Sequence, residues 1–251
     1  MLFIMSPARN SRPVTRRGVA PHKPLFIKEA TRLAEILRGY SSWELESLLA
    51  LNPERALDMS ACYSLFDPEA PGSPALYSYY GAAYRNMNPD DFTAADFNFA
   101  QERLCILSAL YGFLRPADGI LPHRLGMGRE FKIDGQDLYA FWGDKIHRAL
   151  YADAGRVLNL ASTEYAKLVT PHMRSGEEMV SCRFLIQKPD GARGTVSTVR
   201  AARGQMARYI IKNRVTRVED IKAFDWSGYQ FIPGRSDVLN YVFIQNPRQS
   251  L

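Results

Sequence analysis

The sequence predicts an α+β (mixed α/β) fold, a single compact domain with a central sheet, a helical middle and a basic cleft. Apolar residues make up 46% of the 251-residue chain, which is enough for one sizeable core. Short apolar runs at 2–5, 157–160 and 238–244 indicate buried strands, and apolar residues at helical spacing indicate helices between them. No Gly/Ser-rich or Pro-rich linker divides the chain, so we assign residues 1–251 to one domain.

The first predicted strand, at residues 2–5, runs into the polar loop Ser6-Pro7-Ala8-Arg9. A hydroxyl and a guanidinium just past the end of a strand suit a phosphate, because arginine offers a bidentate fork of donors. Residues 10–24 combine three prolines with four basic residues and little apolar content. We therefore expect this segment to be a basic arm that is mobile until a partner binds.

Two scaffold helices come next. Apolar residues recur at helical spacing from Ile27 to Leu37, and Ser41 or Ser42 can cap a second helix that ends before Pro53. The segment at 75–84 then places three aromatic residues on one helical face, where they could stack on bases but more commonly pack in a core. These residues are Tyr77, Tyr80 and Tyr84.

The segment at 101–128 is the one around which the chain is organised. Apolar residues at offsets of three and four predict a buried helix over 104–111. Gly112 can end that helix by adopting a positive φ, and Pro116 cannot continue it, so Arg115 lies on a rigid turn. Arg124 follows on a loop braced by glycine and proline, the kind of loop that often carries function.

A helix is predicted over 138–150, and the strand at 157–160 leads to a second polar loop at Ser162. In a structural interpretation, Ser162 is a helix N-cap and Glu164 complements the positive end of that helix. In a functional interpretation, Ser162 and Lys167 bind a phosphate or support proton transfer, provided that the lysine is buried. The residues leave both interpretations open.

A hairpin and a long helix are predicted towards the end of the chain. Residues 179–187 and 195–199 have the composition of two strands joined by the turn Pro189-Asp190-Gly191. Arg203-Gly204 opens the last long helix, whose apolar stripe faces inward. Three basic residues of this helix can face a phosphate, namely Arg203, Arg208 and Lys212.

Positive charge is concentrated in two blocks. Residues 1–23 hold five basic residues and no acid, and residues 183–217 hold nine basic residues against Asp190 alone. The whole chain carries +6, so the remainder is net acidic. This segregation predicts one basic face or cleft for an anion, although each block could also be a solvated surface.

Several ordered motifs extend over nearly the whole chain. The run LSALYGFLRP at 107–116 is joined by Ser6-Pro7-Ala8, Leu138-Tyr139, Asn159-Leu160-Ala161-Ser162 and Ala202-Arg203-Gly204. Together they resemble the signature of the YaaA family of bacterial peroxide-stress proteins. The chain departs from that pattern at four positions, with Arg9 for the usual lysine, Cys105 for arginine, Ala109 for glycine and Gly126 for glutamate.

The resemblance implies a DNA-binding protein of the hydrogen peroxide response that helps to limit free intracellular iron and DNA damage. It also implies a compact α/β fold with a basic groove and a helix-hairpin-helix-like element, which we place at 112–116. The expected partner is DNA, bound through its backbone with little sequence preference. The residues expected to bind nucleic acid or another anion are Arg9, Arg115, Arg124, Ser162, Lys167, Arg203, Arg208 and Lys212.

The alternative function is an enzyme that acts on a phosphorylated or otherwise anionic small molecule, because fixed polar residues at strand ends exceed what a backbone binder needs. In that case Ser6, Glu164 and Lys167 would carry the chemistry and Arg203 would hold the substrate anion. A third possibility is a basic scaffold protein.

The spacing of cysteines and histidines argues against a metal site. The three cysteines are widely separated and the four histidines form no pair with metal-ligand spacing, so we expect no disulfide framework, no metal and no cofactor. No apolar run reaches the roughly 18 residues of a membrane helix. We expect a cytoplasmic monomer with no membrane partner.

Overall fold

The computed structural model describes residues 1–152, 154–189 and 191–246. The strands are β1 (Leu2–Met5), β2 (Asn10–Ser11), β3 (Ser73–Pro74), β4 (Tyr79–Tyr80), β5 (Leu104–Ser108), β6 (Gly112–Leu114), β7 (Gly119–Ile120), β8 (Arg156–Leu160), β9 (Glu178–Lys188), β10 (Gly191–Arg193), β11 (Tyr229–Phe231) and β12 (Asn240–Gln245). The helices are α1 (Ile27–Arg38), α2 (Ser42–Leu49), α3 (Pro53–Ser64), α4 (Ala75–Ser78), α5 (Ala82–Met87), α6 (Ala94–Arg103), α7 (Leu138–Trp142), α8 (Lys145–Tyr151), α9 (Thr163–Ala166) and α10 (Val196–Lys212).

One mixed sheet carries the core. Its strands lie in the order β11-β12-β9-β8-β1-β5-β6, and β10 pairs with β9 beside this path. The strands β12, β9, β8, β1 and β5 run parallel, whereas β6, β10 and β11 pair antiparallel with their neighbours. The predicted mixed α/β fold with a central sheet is therefore confirmed, and the three predicted strands at 2–5, 157–160 and 238–244 belong to this one sheet.

β1 lies inside the sheet, between β5 and β8. The chain passes from β1 to β5 on one side, and β8, β9 and β12 then follow on the other side. Numbered by their order along the chain, the five parallel strands are arranged 2-1-3-4-5. The order reverses between β1 and β8, and such a reversal leaves a crevice outside the carboxyl ends of the two strands. We call this position the switch point.

The central segment forms a strand, so the helix predicted over 104–111 is wrong. All five residues of β5 are buried, and β5 pairs with β1 and β6. A strand that is covered on both faces shows no apolar/polar alternation, and its continuous apolar run therefore contains helical spacing as well. Gly112 does have a positive φ of 73°, but it serves the turn between β5 and β6. A β-hairpin thus occupies the place where we predicted a helix-hairpin-helix-like element.

Helix α10 begins earlier than predicted, and the strand predicted at 195–199 is wrong. Thr195 is the N-cap of α10 and forms a capping box with Thr198. Two of the β-branched residues that suggested a strand therefore act as helix-capping groups through their hydroxyls. The first predicted strand of the hairpin is confirmed as β9, which pairs with β10, whereas Asp190 of the predicted turn lies outside the described residues.

Gly204 brings α10 close to α5. A Cβ atom added at Gly204 would lie only 1.9 Å from the carbonyl oxygen of Ala83, so no larger residue fits without separating the two helices. Arg203 directly precedes this glycine on α10. The close helix contact therefore sets the position of that arginine.

The two predicted scaffold helices and the helix predicted over 138–150 are confirmed with two differences. Ser41 caps α2 in a capping box with Glu44. Pro53 starts α3 instead of ending the preceding helix. Proline is tolerated there because the N–H groups of the first helical turn have no acceptor within the helix. The helix predicted over 138–150 is divided into α7 and α8 at Gly143, which has a φ of 49°. Among the described residues, no helix has the length and apolar character needed to cross a bilayer.

The basic segment at 10–24, for which we predicted a mobile arm, forms backbone hydrogen bonds with other parts of the chain. β2 pairs with β4, and the backbone N–H of Arg12 donates to the carbonyl oxygen of Ser78 at 3.0 Å. Further along, the backbone N–H of His22 donates to the carbonyl oxygen of Ala117 at 2.8 Å. Backbone pairing of this kind fixes the path of the segment as it leaves β1.

Candidate functional site

A cavity of about 610 Å³ opens at the switch point. Met5 and Leu160, the last residues of β1 and β8, both line it, together with the loops that follow the two strands. Open α/β sheets bind their ligands at this place, because the loops at a reversal of strand order diverge and leave room between them. We call this space the switch-point cavity.

Ser6 joins the ends of β1 and β8. Its Oγ accepts a hydrogen bond from the backbone N–H of Ser162 at 2.8 Å and donates to the Oγ of Ser162 at 3.3 Å. The carbonyl oxygen of Ser6 accepts from the hydroxyl of the buried Tyr84 at 3.2 Å. Ser162 caps α9 by accepting from the backbone N–H of Tyr165, as the structural interpretation predicted. Both serines line the cavity and are held in place by these bonds.

Arg124 is positioned by contacts on both its side chain and its backbone. Its Nη1 donates to the Oδ1 of Asn10 at 3.0 Å, and its carbonyl oxygen accepts from the hydroxyl of the fully buried Tyr63 at 2.9 Å. Burial lowers the pKa of Arg124, and neighbouring arginines, first among them Arg9, lower it further. Burial and the neighbouring positive charges both disfavour the charged form of Arg124, and a bound anion would favour it.

Arg203 lines the cavity from α10 and is partly buried. Its Nε is buried and has no hydrogen-bond partner within the described part of the chain. Burial lowers the pKa of Arg203, Cys182 opposes that shift, and Arg200 adds to it. A buried guanidinium donor without an acceptor is unfavourable, so the side chain is suited to receive an anion from outside the protein.

The cavity carries a large excess of positive charge. Among the described residues that line it, Glu164 is the one carboxylate, and its Oε1 accepts from the backbone N–H of Gly128 at 2.7 Å. The arginines that line the cavity are Arg9, Arg124, Arg129, Arg200 and Arg203. They come from both basic blocks and from the central segment, so those three parts of the chain meet at one place.

Arg115 lies elsewhere, at the opposite edge of the sheet. It lines a second cavity together with Met1 and Leu2, at the start of β1, and its Nη1 donates to the carbonyl oxygen of Glu102 at 3.2 Å. Arginines there form ion pairs with carboxylates. For example, the Nε of Arg156 lies 2.8 Å from the Oε2 of Glu178. Arg115 therefore does not join the residues of the switch-point cavity.

Arg208 and Lys212 are bound to carboxylates of the protein. Arg208 forms a bidentate pair with Asp91, with oxygen distances of 2.6 and 2.5 Å. The Nζ of Lys212 donates to the buried Asp96 at 2.9 Å. These pairs attach α10 to the segment around α6. The two carboxylates are far from α10 in the sequence. The sequence therefore suggested that Arg208 and Lys212 were free to bind phosphate.

Catalytic roles for Ser6 and Lys167 receive little support from the geometry. Lys167 is exposed and is not among the described residues that line the cavity, so the burial required by the functional interpretation is absent. The hydroxyl proton of Ser6 is directed to Ser162 and not to a base. Glu164 does line the cavity, and its bond to Gly128 gives it a structural role there.

The cysteines are not primed to react with peroxide. Burial raises the pKa of Cys62, and it raises the pKa of Cys105 to about 11 and that of Cys182 well above the usual value. The thiolate is the reactive form, and these shifts suppress it. Within the described residues, no three His, Cys, Asp or Glu side chains lie together in a way that could hold a metal ion.

Sequence reasoning missed two arginines of the cavity, Arg129 and Arg200, and named Tyr80 only as one of three aromatic residues on a helical face. Arg200 precedes Arg203 by one helical turn, and it would have been found if the start of α10 had been recognised. Tyr80 was assigned to a helical stripe, but it lies in β4 and 42% of it is exposed, whereas Tyr77 and Tyr84 are buried as predicted. No motif or spacing near Arg129 in the sequence indicated that it would line the cavity.

Comparisons with known proteins give a consistent result. Residues 1–234 match the model of a family described as peroxide stress protein YaaA. A UPF0246 protein from Saccharophagus degradans is 38% identical to the chain, and the similarity covers 97% of the chain and 98% of that protein. A UPF0246 protein from Leptothrix cholodnii is 36% identical, and the similarity covers 98% of the chain and 99% of that protein. One from Clostridioides difficile is 27% identical, and the similarity covers 98% of the chain and 100% of that protein. The similarity therefore includes every element that lines the switch-point cavity.

Proposed function

The chain belongs to the peroxide stress protein YaaA family, and on that premise we propose that it binds DNA through phosphate groups held in the switch-point cavity. The cavity is then the basic cleft expected from the sequence. Binding through phosphates implies low sequence preference, because phosphate contacts carry no base information. The bound DNA would be the molecule that the protein protects under peroxide stress.

The observation that carries this proposal is the buried Nε of Arg203, which has no acceptor among the described residues. Buried hydrogen-bond donors in proteins normally have an acceptor, and this donor belongs to a guanidinium whose charge is opposed by that of Arg200. A phosphate supplies the missing acceptors and the missing negative charge together. We therefore place the phosphate contacts at Arg9, Arg124 and Arg203, and no longer at Arg208 and Lys212, which Asp91 and Asp96 already hold.

Two other expectations have less support from the geometry. An enzyme that uses Ser6 and Lys167 would need them side by side in the cavity, and Lys167 is not among its described lining residues. A contribution to limiting free intracellular iron stays a prediction from the family resemblance.

Fluorescence anisotropy with a short labelled duplex, measured from about 50 to 200 mM salt, tests the proposed function. Each neutralised phosphate contributes about −0.9 to the slope of log K against log salt, so Arg203→Gln should weaken binding and reduce the slope by about one. Arg148→Gln is the matched control, because Arg148 is an exposed residue of α8 that pairs with Asp144. Its slope should equal that of the unmodified protein.

Two results would refute the proposed function. One is the absence of duplex binding even at about 50 mM salt, where phosphate contacts are strongest. The other is binding that Arg203→Gln and Arg148→Gln weaken equally, because the cavity would then have no special part in it.

A further inference from the structure

We propose that the switch-point cavity receives a single nucleotide with a terminal phosphate, whose phosphate binds the arginines and whose base stacks on Tyr80. This inference rests on the proposed function in one respect, because it takes the arginines to be a phosphate site. It adds the substrate class, which is a phosphomonoester on a nucleoside, at a strand end or as a free nucleotide.

The size of the cavity favours one nucleotide over a duplex. A volume of about 610 Å³ lies within the range of roughly 300 to 1,000 Å³ that is usual for small-molecule sites. The major groove of DNA alone is about 12 Å wide, so a double helix cannot enter such a space and can only lie across its mouth. Proteins that bring a nucleotide into an enclosed pocket take it from a single strand or rotate it out of the duplex.

The charge of the cavity favours a terminal phosphate over an internal one. Five arginines face a single carboxylate, Glu164, among the described lining residues. An internal phosphodiester carries one negative charge, whereas a phosphomonoester carries about −1.5 to −2 near neutral pH and offers three acceptor oxygens. The monoester therefore neutralises more of the excess charge and can accept from more than one guanidinium at once.

Tyr80 provides the second half of the site. It is 42% exposed and lines the cavity, and its backbone is held in the β2–β4 ladder. The guanidinium of Arg12 lies 5.7 Å from the centre of its ring, a contact that favours an ordered ring position. Exposed aromatic rings in basic grooves are the platforms on which nucleic-acid bases stack.

Asn10 links the two halves. Its side chain accepts from Arg124 at 3.0 Å, and its backbone pairs with Tyr80 in the β2–β4 ladder. Asn10 and Tyr80 lie on neighbouring strands, which are roughly 5 Å apart, so the hydrogen bond to Asn10 attaches Arg124 to the strand beside that of Tyr80. A nucleotide has the same arrangement, with a phosphate and a base held apart by one sugar.

The test compares single strands of about ten nucleotides that differ only in a 5′-phosphate or a 5′-hydroxyl and carry a fluorophore at the 3′ end. A blunt 5′-hydroxyl duplex is measured in parallel. We expect the phosphorylated strand to bind at least tenfold more tightly than the hydroxyl strand. Equal affinity of the two strands would overturn the nucleotide site, while salt-dependent binding of the duplex would leave the proposed function standing.

Gly126 allows the charge argument to be tested with a matched pair of variants. It lines the cavity, and a Cβ added there would meet only the side chain of Arg129, at 3.9 Å. Gly126→Glu should remove the preference for the 5′-phosphate by supplying a competing carboxylate, and the isosteric Gly126→Gln should keep it. Loss of the preference in both variants would mean that bulk and not charge is responsible, which contradicts the proposal.

Tyr80 provides an independent readout that does not depend on those variants. Stacking on an aromatic ring is worth about 1 to 3 kcal/mol per base, so Tyr80→Ala should weaken binding of the phosphorylated strand roughly tenfold. Tyr80→Phe keeps the ring and should restore the affinity. Unchanged affinity in Tyr80→Ala would refute the role of the ring.

Competition with AMP, ribose 5-phosphate and inorganic phosphate identifies the source of the nucleotide. Displacement of the phosphorylated strand by AMP, more effective than by ribose 5-phosphate, supports a site for both phosphate and base. Binding of AMP with no binding of either strand or of the duplex would retain the nucleotide site and refute the DNA-binding function. Equal competition by inorganic phosphate and AMP would overturn the stacking arrangement.

Discussion

The Oγ of Ser6 accepts the backbone N–H of Ser162 at 2.8 Å, across the point where the strand order of the sheet reverses. The two residues are 156 positions apart in the chain. This hydrogen bond connects residues that lie just past the ends of the two parallel strands β1 and β8. Beyond it, the two loops separate around the switch-point cavity. It is the contact on which the geometry of the site most directly depends.

Replacing Ser6 by alanine should destabilise the fold and loosen the site. The N–H of Ser162 would lose its acceptor in a partly buried position, which costs about 1 to 3 kcal/mol. Urea unfolding of Ser6→Ala should therefore show a lower midpoint. The control is Ser47→Ala, an exposed position within α2, where a change within about 0.5 kcal/mol is expected. An unaltered midpoint in Ser6→Ala would show that the bond contributes nothing.

Gly204→Ala should separate α10 from α5 and displace Arg203. The added methyl would meet the carbonyl oxygen of Ala83 at 1.9 Å, an overlap that backbone atoms can relieve only by moving. We expect a loss of about 1 to 3 kcal/mol in thermal unfolding, together with weaker DNA binding. At Gly234 an added Cβ meets nothing within 4 Å, so Gly234→Ala is the control. If both substitutions had equal effects, close packing of the helices would not be the cause.

Acid should weaken the attachment of α10 through Asp96. Burial raises the pKa of Asp96, but hydrogen bonds from Lys212, from the backbone of Thr93 and from Arg214 outweigh it and leave the pKa well below its ordinary value. A lowered carboxyl pKa gives stability that is present above about pH 4 and is lost as the pH falls further. Asp96→Asn should therefore cost about 3 kcal/mol at pH 7, with a smaller difference at pH 3.

Urea unfolding of both proteins between pH 7 and pH 3 measures that difference. Asp90→Asn is a suitable control, since the Asp90 side chain is exposed and its carboxylate forms a long 3.4 Å pair with Arg16. A difference between the unmodified protein and Asp96→Asn that stays constant across this range would exclude the ionised form of Asp96 as its source.

His123 should make the protein less stable between about pH 6.5 and pH 4. Burial lowers the pKa of His123 to about 4, while its Nδ1 donates to the carbonyl oxygen of Leu121 at 2.8 Å and its Nε2 lies 3.3 Å from the hydroxyl of Tyr79. In that window the unfolded chain binds a proton at this histidine and the folded chain does not, so stability falls as the pH decreases. The loss amounts to about 3 kcal/mol.

Comparison with His123→Gln isolates this effect. Burial raises the pKa of Asp118 to about 6, which acts in the opposite direction, but Asp118 is present in both proteins and its contribution cancels. The free energy of unfolding should fall more steeply on acidification in the unmodified protein than in His123→Gln. Parallel pH profiles would show that His123 does not remain neutral in the folded state.

Local patterns predicted the parts of the site that depend on strand ends. The apolar runs at β1 and β8 are visible in the sequence, and parallel strands place their carboxyl ends at one edge of a sheet. If the two strands are parallel members of one sheet, that rule places Ser6 and Ser162 at the same edge, and the direct pairing of β1 with β8 brings them together. Arg9 and Arg124 also reach the cavity from loops near that edge, whereas Arg203 reaches it from the middle of α10.

The errors arose where the outcome depends on partners that are distant in sequence. β5 resembles a helix until its pairing with β1 and β6 is known, because burial on both faces removes the alternation that marks a strand. Arg208 and Arg115 carry the same charge as Arg203, yet Asp91 holds the first and the second lies at the other edge of the sheet. Charge counts along a sequence contain no information about such pairings.

The central position of β1 has a consequence for the way the protein folds. Phe3 pairs with Leu104 on one side and with Leu158 on the other, so β1 can gain neither neighbour until long stretches of later chain have been synthesised. Contacts between such distant residues carry a high entropic cost of loop closure and slow the folding of a sheet. The apolar strand Leu2–Met5 consequently stays without its partners during much of synthesis, an interval in which strand edges are open to association with other chains.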